Sequence, residues 1–193
     1  MIVLTDIDGV VLDWEEAYSA WMEHRGHQLT SDAKAHYDMH TRYGIEKSIS
    51  KNLVEQFNSS AAIGFLPPLR DAQYYIKLLH EKYKVQFIAV TSLSTDPYAR
   101  KLRKRNLAKL FGDNAFKEVI CLGCGDDKDE VLAQLSEHYE GSYWIEDKVA
   151  NAEVGSSLGF NTLLMEHKYN MYSFGDFQIV KNWEAIYNEI IQS

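Results

Sequence analysis

Near the start of the chain, the string Ile2-Val3-Leu4-Thr5-Asp6-Ile7-Asp8-Gly9 sets two carboxylates two positions apart, just after a short apolar run. If that run is a strand, the alternation of side chains aims Asp6 and Asp8 the same way. Gly9 then lets the backbone turn sharply behind them. Two neighbouring carboxylates with no basic partner at hand suit a hard cation such as Mg²⁺, which takes oxygen ligands. Later apolar runs end in residues of matching chemistry. Phe87-Ile88-Ala89-Val90 leads into Thr91 and Ser92, hydroxyls that can hold phosphate oxygens near a helix N-terminus. Val119–Leu122 leads into Gly123-Cys124-Gly125-Asp126-Asp127-Lys128. That places a lysine at a helix start, a poor position for a cation unless an anion is bound there. Tyr143-Trp144-Ile145 ends in a second acidic pair, Glu146-Asp147. Taken singly, a hydroxyl pair is usually a turn or cap, a lysine a solvated charge, and an acidic pair a favourable helix start. Two acidic pairs, a hydroxyl pair and a lysine falling together at strand ends describe a phosphate site with a divalent cation.

Elements of a particular kind must carry those residues. Apolar runs at Ile2–Leu4, Val85–Val90, Val119–Leu122, Tyr143–Ile145 and Thr162–Met165 are short and rich in β-branched or aromatic residues, as buried parallel strands are. Between them lie helical repeats: Ala72, Tyr75, Ile76, Leu79 and Tyr83, then Val131, Leu132, Leu135 and Tyr139. Asp96-Pro97 reads as an N-cap with proline in the first turn, opening a helix to about Phe111 that Gly112 stops. The alternation implies an α/β fold, a doubly wound parallel Rossmann-like sheet, which places ligands at the C-terminal ends of its strands. One stretch breaks the alternation. Residues 13–65 show no convincing strand, but helical stripes at Trp14, Ala17, Tyr18, Trp21 and Met22 and at Ile45, Ile49, Leu53 and Phe57. We expect a helical cap over 13–65, inserted into a core domain made of 1–12 and 66–193. Gly64-Phe65-Leu66-Pro67-Pro68 marks the return.

The 193 residues are 46% apolar and carry only 3 prolines, enough for a large core and too regular for disorder. A net charge of −8 argues against a general nucleic-acid binder. Two cysteines, Cys121 and Cys124, make no disulfide framework, and their spacing lacks the second pair of a zinc site. No apolar run approaches the ~18 residues of a membrane span, and charge at the sixth residue comes too early for a signal peptide. The expectation is a soluble, cytoplasmic protein. His24, His27, His36 and His40 read as surface or pocket-wall residues, and the basic run Arg100–Arg105 with Lys109 as a solvated helix face.

The four strand ends resemble the motifs of the haloacid dehalogenase (HAD) superfamily over essentially the whole chain. Asp6-Ile7-Asp8-Gly9 is similar to its first motif, Thr91 to the second, Lys128 to the third and Glu146-Asp147 to the fourth. The resemblance implies that Asp6 is a nucleophile forming an aspartyl-phosphate, and that Asp8 protonates the leaving oxygen and then activates water. It implies Mg²⁺ held by Asp6, the Asp8 carbonyl and Asp147, with Thr91, Ser92 and Lys128 on the phosphoryl group and Glu146 positioning Lys128. An acidic second position favours phosphatases over the superfamily's ion pumps and dehalogenases. Within it, the sequence looks like the 5′(3′)-deoxyribonucleotidases through Gly9-Val10-Val11-Leu12-Asp13-Trp14, Gly64–Leu69, Thr91-Ser92, Lys168-Tyr169-Asn170 and Asn182–Ile186. That likeness implies a nucleoside monophosphate substrate, with Trp14 stacking on a base and Phe65 lining the pocket. Arg103 falls near a lysine that contacts phosphate in those enzymes. Alternative substrates are polynucleotide 3′ ends or sugar phosphates. A silent nucleotide- or protein-binding relative is less favoured, because Asp6, Asp8, Lys128 and Asp147 are all present.

Overall fold

Residues 1–192 are described by the computed structural model. Six strands, β1 (Ile2–Thr5), β2 (Gln86–Ser92), β3 (Phe116–Leu122), β4 (Tyr143–Glu146), β5 (Asn161–Met165) and β6 (Gln178–Val180), form one sheet in the order β3-β2-β1-β4-β5-β6. Every pairing is parallel. The first five strands are the apolar runs of the sequence. The sixth has three residues and pairs only with β5, too short to show a period.

Alternation along each strand divides the core in two. Val3, Phe87, Ala89 and Ile145 join the larger apolar cluster, while Leu4, Ile88, Val90 and Trp144 join the smaller one on the opposite face. Helices α4 (Ala72–Tyr83), α5 (Pro97–Phe111) and α8 (Trp183–Gln192) contribute to the larger cluster. Helices α6 (Asp129–Tyr139) and α7 (Val149–Ser157) contribute to the smaller. Helices on both faces explain why the strands are apolar throughout rather than alternating. Capping follows the sequence: Asp96 accepts from the Tyr98 amide at 2.9 Å, and Gly112 follows α5 at φ +101°. The first turn of α8 is capped from afar, because Asp71 accepts from the Trp183 and Glu184 amides at 3.0 Å each.

Between β1 and β2 lie α1 (Trp14–Glu23), α2 (Met39–Tyr43) and α3 (Lys47–Asn58), with short 3-10 turns at Ala33–Ala35 and Ala61–Phe65. The outgoing and returning chain run side by side. The Asp13 amide donates to Pro67 O at 2.9 Å and the Leu69 amide to Val11 O at 2.9 Å. Asp13 also caps α1 through the Glu16 amide at 3.0 Å. The inserted helices meet around stacked and edge-on rings of Trp14, Tyr18, Trp21, Tyr43 and Phe57. Tyr18, Met22, Tyr43 and Phe57 are continuous with the larger apolar cluster of the sheet. None of the helices described is long and apolar enough to cross a membrane.

Candidate active site

The strand order reverses at β1, and the C-terminal ends of β1, β2 and β4 converge there, where open α/β sheets take their ligands. Asp6 follows β1 directly, and its amide donates to Ile145 O at 2.8 Å. Asp6 is 6% exposed, and its Oδ1 lies 2.8 Å from the Lys128 ammonium. Lys128 in turn donates to Glu146 Oε2 at 2.7 Å. Glu146 also accepts from the Asn151 side chain at 3.1 Å and from the Asp147 and Lys148 amides at 2.9 and 3.0 Å. With its oxygens so committed, Glu146 orients the lysine and leaves Asp6 and Asp147 to face the cleft. Four strand-end residues singled out by sequence thus form one buried network.

Asp8 stands apart from that network. Arg103 Nη2 donates to Asp8 Oδ2 at 3.1 Å, and Nη1 lies 2.8 Å from Oδ1 as an ion pair without hydrogen-bond alignment. The Thr91 hydroxyl lies 3.5 Å from Asp8 Oδ2. Arg103 is fully buried, whereas Lys101, Lys104, Arg105 and Lys109 on the same helix are exposed. The basic run is therefore not a uniform solvated face. The signal available in the sequence was Arg103 falling in step with Ala99 and Leu107, the buried side of α5.

The fourth motif is braced by the loop after β5. Tyr169 donates its hydroxyl to Asp147 Oδ2, and Asn170 Nδ2 donates to Asp147 O at 2.8 Å and Met165 O at 2.9 Å. His167 lies parallel to Tyr169, with ring centroids 5.0 Å apart, and its Nε2 lies 2.7 Å from Gly9 O. Gly9 sits at φ +81°, and a Cβ there would meet Asp147 Oδ2 at 2.5 Å. Only glycine therefore lets the first and fourth motifs approach this closely. The Tyr-Asn pair was legible by resemblance; His167 carried no signal of its own.

Among the described residues, Asp6, Glu146 and Asp147 form a buried group whose ligand atoms lie within 4.8 Å of one another. Three carboxylates against the one Lys128 ammonium leave a surplus of two negative charges, the amount a divalent cation offsets. Burial, opposed by Lys128 and reinforced by Glu146 and Asp8, pushes the Asp6 carboxyl up to about 8. Burial and the neighbouring Glu146 and Asp6 also hold Asp147 well above the usual carboxylate range. For Glu146 burial acts in the same direction, but Lys128 and the hydrogen bonds at its oxygens bring it below its usual value. Clustered carboxylates that hold on to protons in a protein alone fit a hard oxygen-ligated ion such as Mg²⁺, which reverses that balance when present.

A cleft of about 1020 Å³ joins these groups to the inserted helices. Asp6, Asp8, Thr91, Ser92, Lys128, Glu146 and Asp147 line it, as does Trp14 from α1. Ser92 donates to Asp126 O at 2.7 Å. Trp14 is already engaged: it stacks on Tyr18 at 4.5 Å, meets Phe57 edge-on at 5.5 Å, and its indole donates to Asn58 Oδ1 at 2.8 Å. Phe65 is not brought to the cleft. It is 73% exposed, because the 3-10 turn turns Ile63 into the core and packs Gly64 against Leu102, leaving the next side chain to solvent. His40 reaches the cleft wall, and His36 lies 3.1 Å from Asp32. Cys121 is buried and Cys124 half-buried beside the Asn58 side chain, with no disulfide among the described residues.

No protein-family model matches the chain. It is similar to an uncharacterized 32.4 kDa protein from the Gp30–rIII intergenic region of Enterobacteria phage T4, 29% identical over 168 residues, covering 81% of this chain and 57% of that protein. The chain thus spans a little over half the length of that curated relative. Among solved structures, D,D-heptose 1,7-bisphosphate phosphatase from B. bronchiseptica, complexed with magnesium and phosphate, superposes with a TM-score of 0.55 at 10% identity over 99% of this chain and 98% of that one. YfnB, a HAD-type hydrolase of Bacillus subtilis bound to magnesium, gives 0.62 at 18% identity over 98% of each chain. L-2-haloacid dehalogenase from Xanthobacter autotrophicus, with chloropropionic acid covalently bound, gives 0.61 at 11% over 98% of each. One of these is a phosphatase and another a dehalogenase, so the chemistry of this chain has to be argued from its own side chains. What the six-strand order, the strand-end carboxylates and these superpositions establish together is that the chain has the fold of the haloacid dehalogenase superfamily hydrolases.

Proposed function

We propose that this protein is a Mg²⁺-dependent phosphomonoester hydrolase that works through an aspartyl-phosphate. The observation that carries the reading is the Asp6 carboxylate, buried at the floor of an open cleft, 2.8 Å from Lys128 and with Asp8 two residues on. Asp6 attacks phosphorus while the bond to the leaving oxygen breaks, and Asp8 gives that oxygen its proton. Asp8 then takes a proton from the water that attacks phosphorus and displaces Asp6, releasing phosphate and restoring the Asp6 carboxylate and the Asp8 acid. Splitting one displacement into two lets each nucleophile act in turn. Lys128 and Thr91 bind phosphoryl oxygens and hold them in line for attack, the main requirement of phosphoryl transfer. Asp6, the Asp8 carbonyl and Asp147 are the groups that would hold Mg²⁺, which when bound supplies positive charge against the phosphoryl oxygens. Arg103, in the middle of α5, fixes the Asp8 carboxylate.

The substrate we favour is a (deoxy)ribonucleoside monophosphate. The volume of the cleft and the presence of Trp14 in its wall support it, since an aromatic face stacks on any base. The exposed lysines and arginine of α5 are the feature that would suit polynucleotide 3′ ends instead. The test is phosphate release with Mg²⁺ from nucleoside monophosphates, sugar phosphates and a 3′-phosphorylated oligonucleotide, with Asp6→Asn as control. Release from nucleoside monophosphates that disappears in the control is expected. Activity retained in Asp6→Asn would sink the mechanism, and a preference elsewhere on the panel would replace the substrate.

A further inference from the structure

Tyr37 enters the site from the inserted helices, on the stretch between the Ala33–Ala35 turn and α2. It lines the same cleft as Asp6, Asp8 and Asp147. Its ring packs edge-on against Tyr169, with centroids 5.4 Å apart and planes at 76°. Tyr169 lies parallel to His167, so three rings lead from the inserted segment to the groups that touch Asp147 and Gly9. Tyr37 is 47% exposed, yet desolvation of its hydroxyl, followed by the negative charge of Asp147, Glu146, Asp6 and Asp8, holds its proton on well above the usual phenol range. The hydroxyl therefore keeps its proton as a donor on the wall of the cleft those carboxylates line.

That donor has no hydrogen-bond partner among the described residues. Several nearby acceptors are taken: Asp147 Oδ2 by Tyr169, both Glu146 oxygens by Lys128, Asn151 and backbone amides, and Asp8 Oδ2 by Arg103, while Asp8 Oδ1 pairs with Arg103 Nη1 without hydrogen-bond alignment. Asp6 Oδ1 faces Lys128. An unpartnered donor on the wall of the cleft that holds Asp6 and Asp8 points to an acceptor that arrives with the ligand. We infer that Tyr37 is a substrate-contacting residue whose hydroxyl donates to a phosphoryl oxygen of the bound phosphomonoester. The inference rests on the phosphomonoesterase reading and adds to it a contact from the inserted segment, so that the phosphoryl group is held from both sides of the cleft. The stacked rings keep the phenol in place before the ligand arrives, which lowers the ordering cost of the contact.

The experiment uses the full chain with Mg²⁺ and compares Tyr37→Phe, which keeps the ring packing, with Tyr37→Leu, which loses it. Calorimetry measures binding of inorganic phosphate, and steady-state kinetics measures kcat/KM on the preferred phosphomonoester. Tyr37→Phe is expected to weaken phosphate binding and lower kcat/KM by about 10-fold, the scale of one hydrogen bond to a charged acceptor. Tyr37→Leu should do at least as much. Values for Tyr37→Phe within about two-fold of the parent would overturn the inference while an inactive Asp6→Asn leaves the proposed reaction standing. If the parent hydrolyses nothing on the panel, the reaction fails and calorimetry alone decides. In that case unchanged phosphate binding in Tyr37→Phe, or no binding by the parent, overturns the inference as well.

Discussion

Replacing Asp8 by asparagine tests its ion pair with Arg103 of α5. Arg103 is fully buried, and its Nε has no hydrogen-bond acceptor among the described residues. Among the described residues its ion-pair partner is Asp8, across 2.8 and 3.1 Å. Removing one partner of a buried pair costs about 3–5 kcal/mol, because the other charge stays buried and unmatched. The Asp8 side chain is 22% exposed, so cleft water can reach the vacated position, and we expect about 3 kcal/mol for Asp8→Asn. Arg103→Met leaves Asp8 facing that water and should cost about 1–2 kcal/mol. The double variant, with no charge left to strand, should be about as stable as Arg103→Met alone, a coupling of about 2 kcal/mol or more. Urea unfolding followed by tryptophan fluorescence, without Mg²⁺, reads all four corners of the cycle. For a chain of this length the Asp8→Asn loss corresponds to roughly 6–12 °C in Tm. Strictly additive single effects, or an Asp8→Asn protein within about 1 kcal/mol of the parent, would refute the reasoning.

Two other perturbations probe the acidic centre. In the folded protein Asp6 holds its proton up to about 8, whereas unfolded it titrates at an ordinary carboxylate value. The folded state thus binds more protons across that interval, so stability without metal falls as pH rises through it. Mg²⁺ must displace that proton, and its stabilisation should grow over the same range. At pH 8 and about 100-fold over Kd we expect roughly 5–10 °C in Tm, and much less at pH 5.5 with the same Mg²⁺; equal shifts at both pH values would contradict this. Gly9→Ala forces a Cβ against Asp147 at a positive φ, so Mg²⁺ affinity measured by calorimetry should drop by about 10-fold or more. Unchanged affinity would mean that the two motifs can part without consequence.

The strands that carry the chemistry were legible because they are buried on both faces and therefore apolar throughout, and their polar ends stand out against that background. Helix α5 was legible at both ends through Asp96-Pro97 and Gly112. Residues acting across the fold were harder to see. Arg103 was hidden in a run of like charges, and only its helical phase relative to Ala99 and Leu107 distinguishes it. Phe65 was placed by likeness to a short string, but the direction of a side chain in a 3-10 turn depends on what its neighbours pack against. Tyr37 lies in a stretch with little regular structure, where periodicity has nothing to report. The three-residue β6 is defined by its partner rather than by its own sequence.

The indole of Trp183, completely buried, donates to the Val10 carbonyl at 2.8 Å across 173 residues of chain. Val10 belongs to the turn directly after Asp6 and Asp8, and Trp183 opens the last helix described. During synthesis Asp6 emerges long before α8, so the backbone behind it gains this support only once α8 has left the ribosome and docked. Contacts of such long range form late, because the loop must close before the contact repays it. A nascent chain would therefore display Asp6 and Asp8 long before holding them in working geometry. Fragments ending anywhere before Trp183 should keep the residues of the site without its activity.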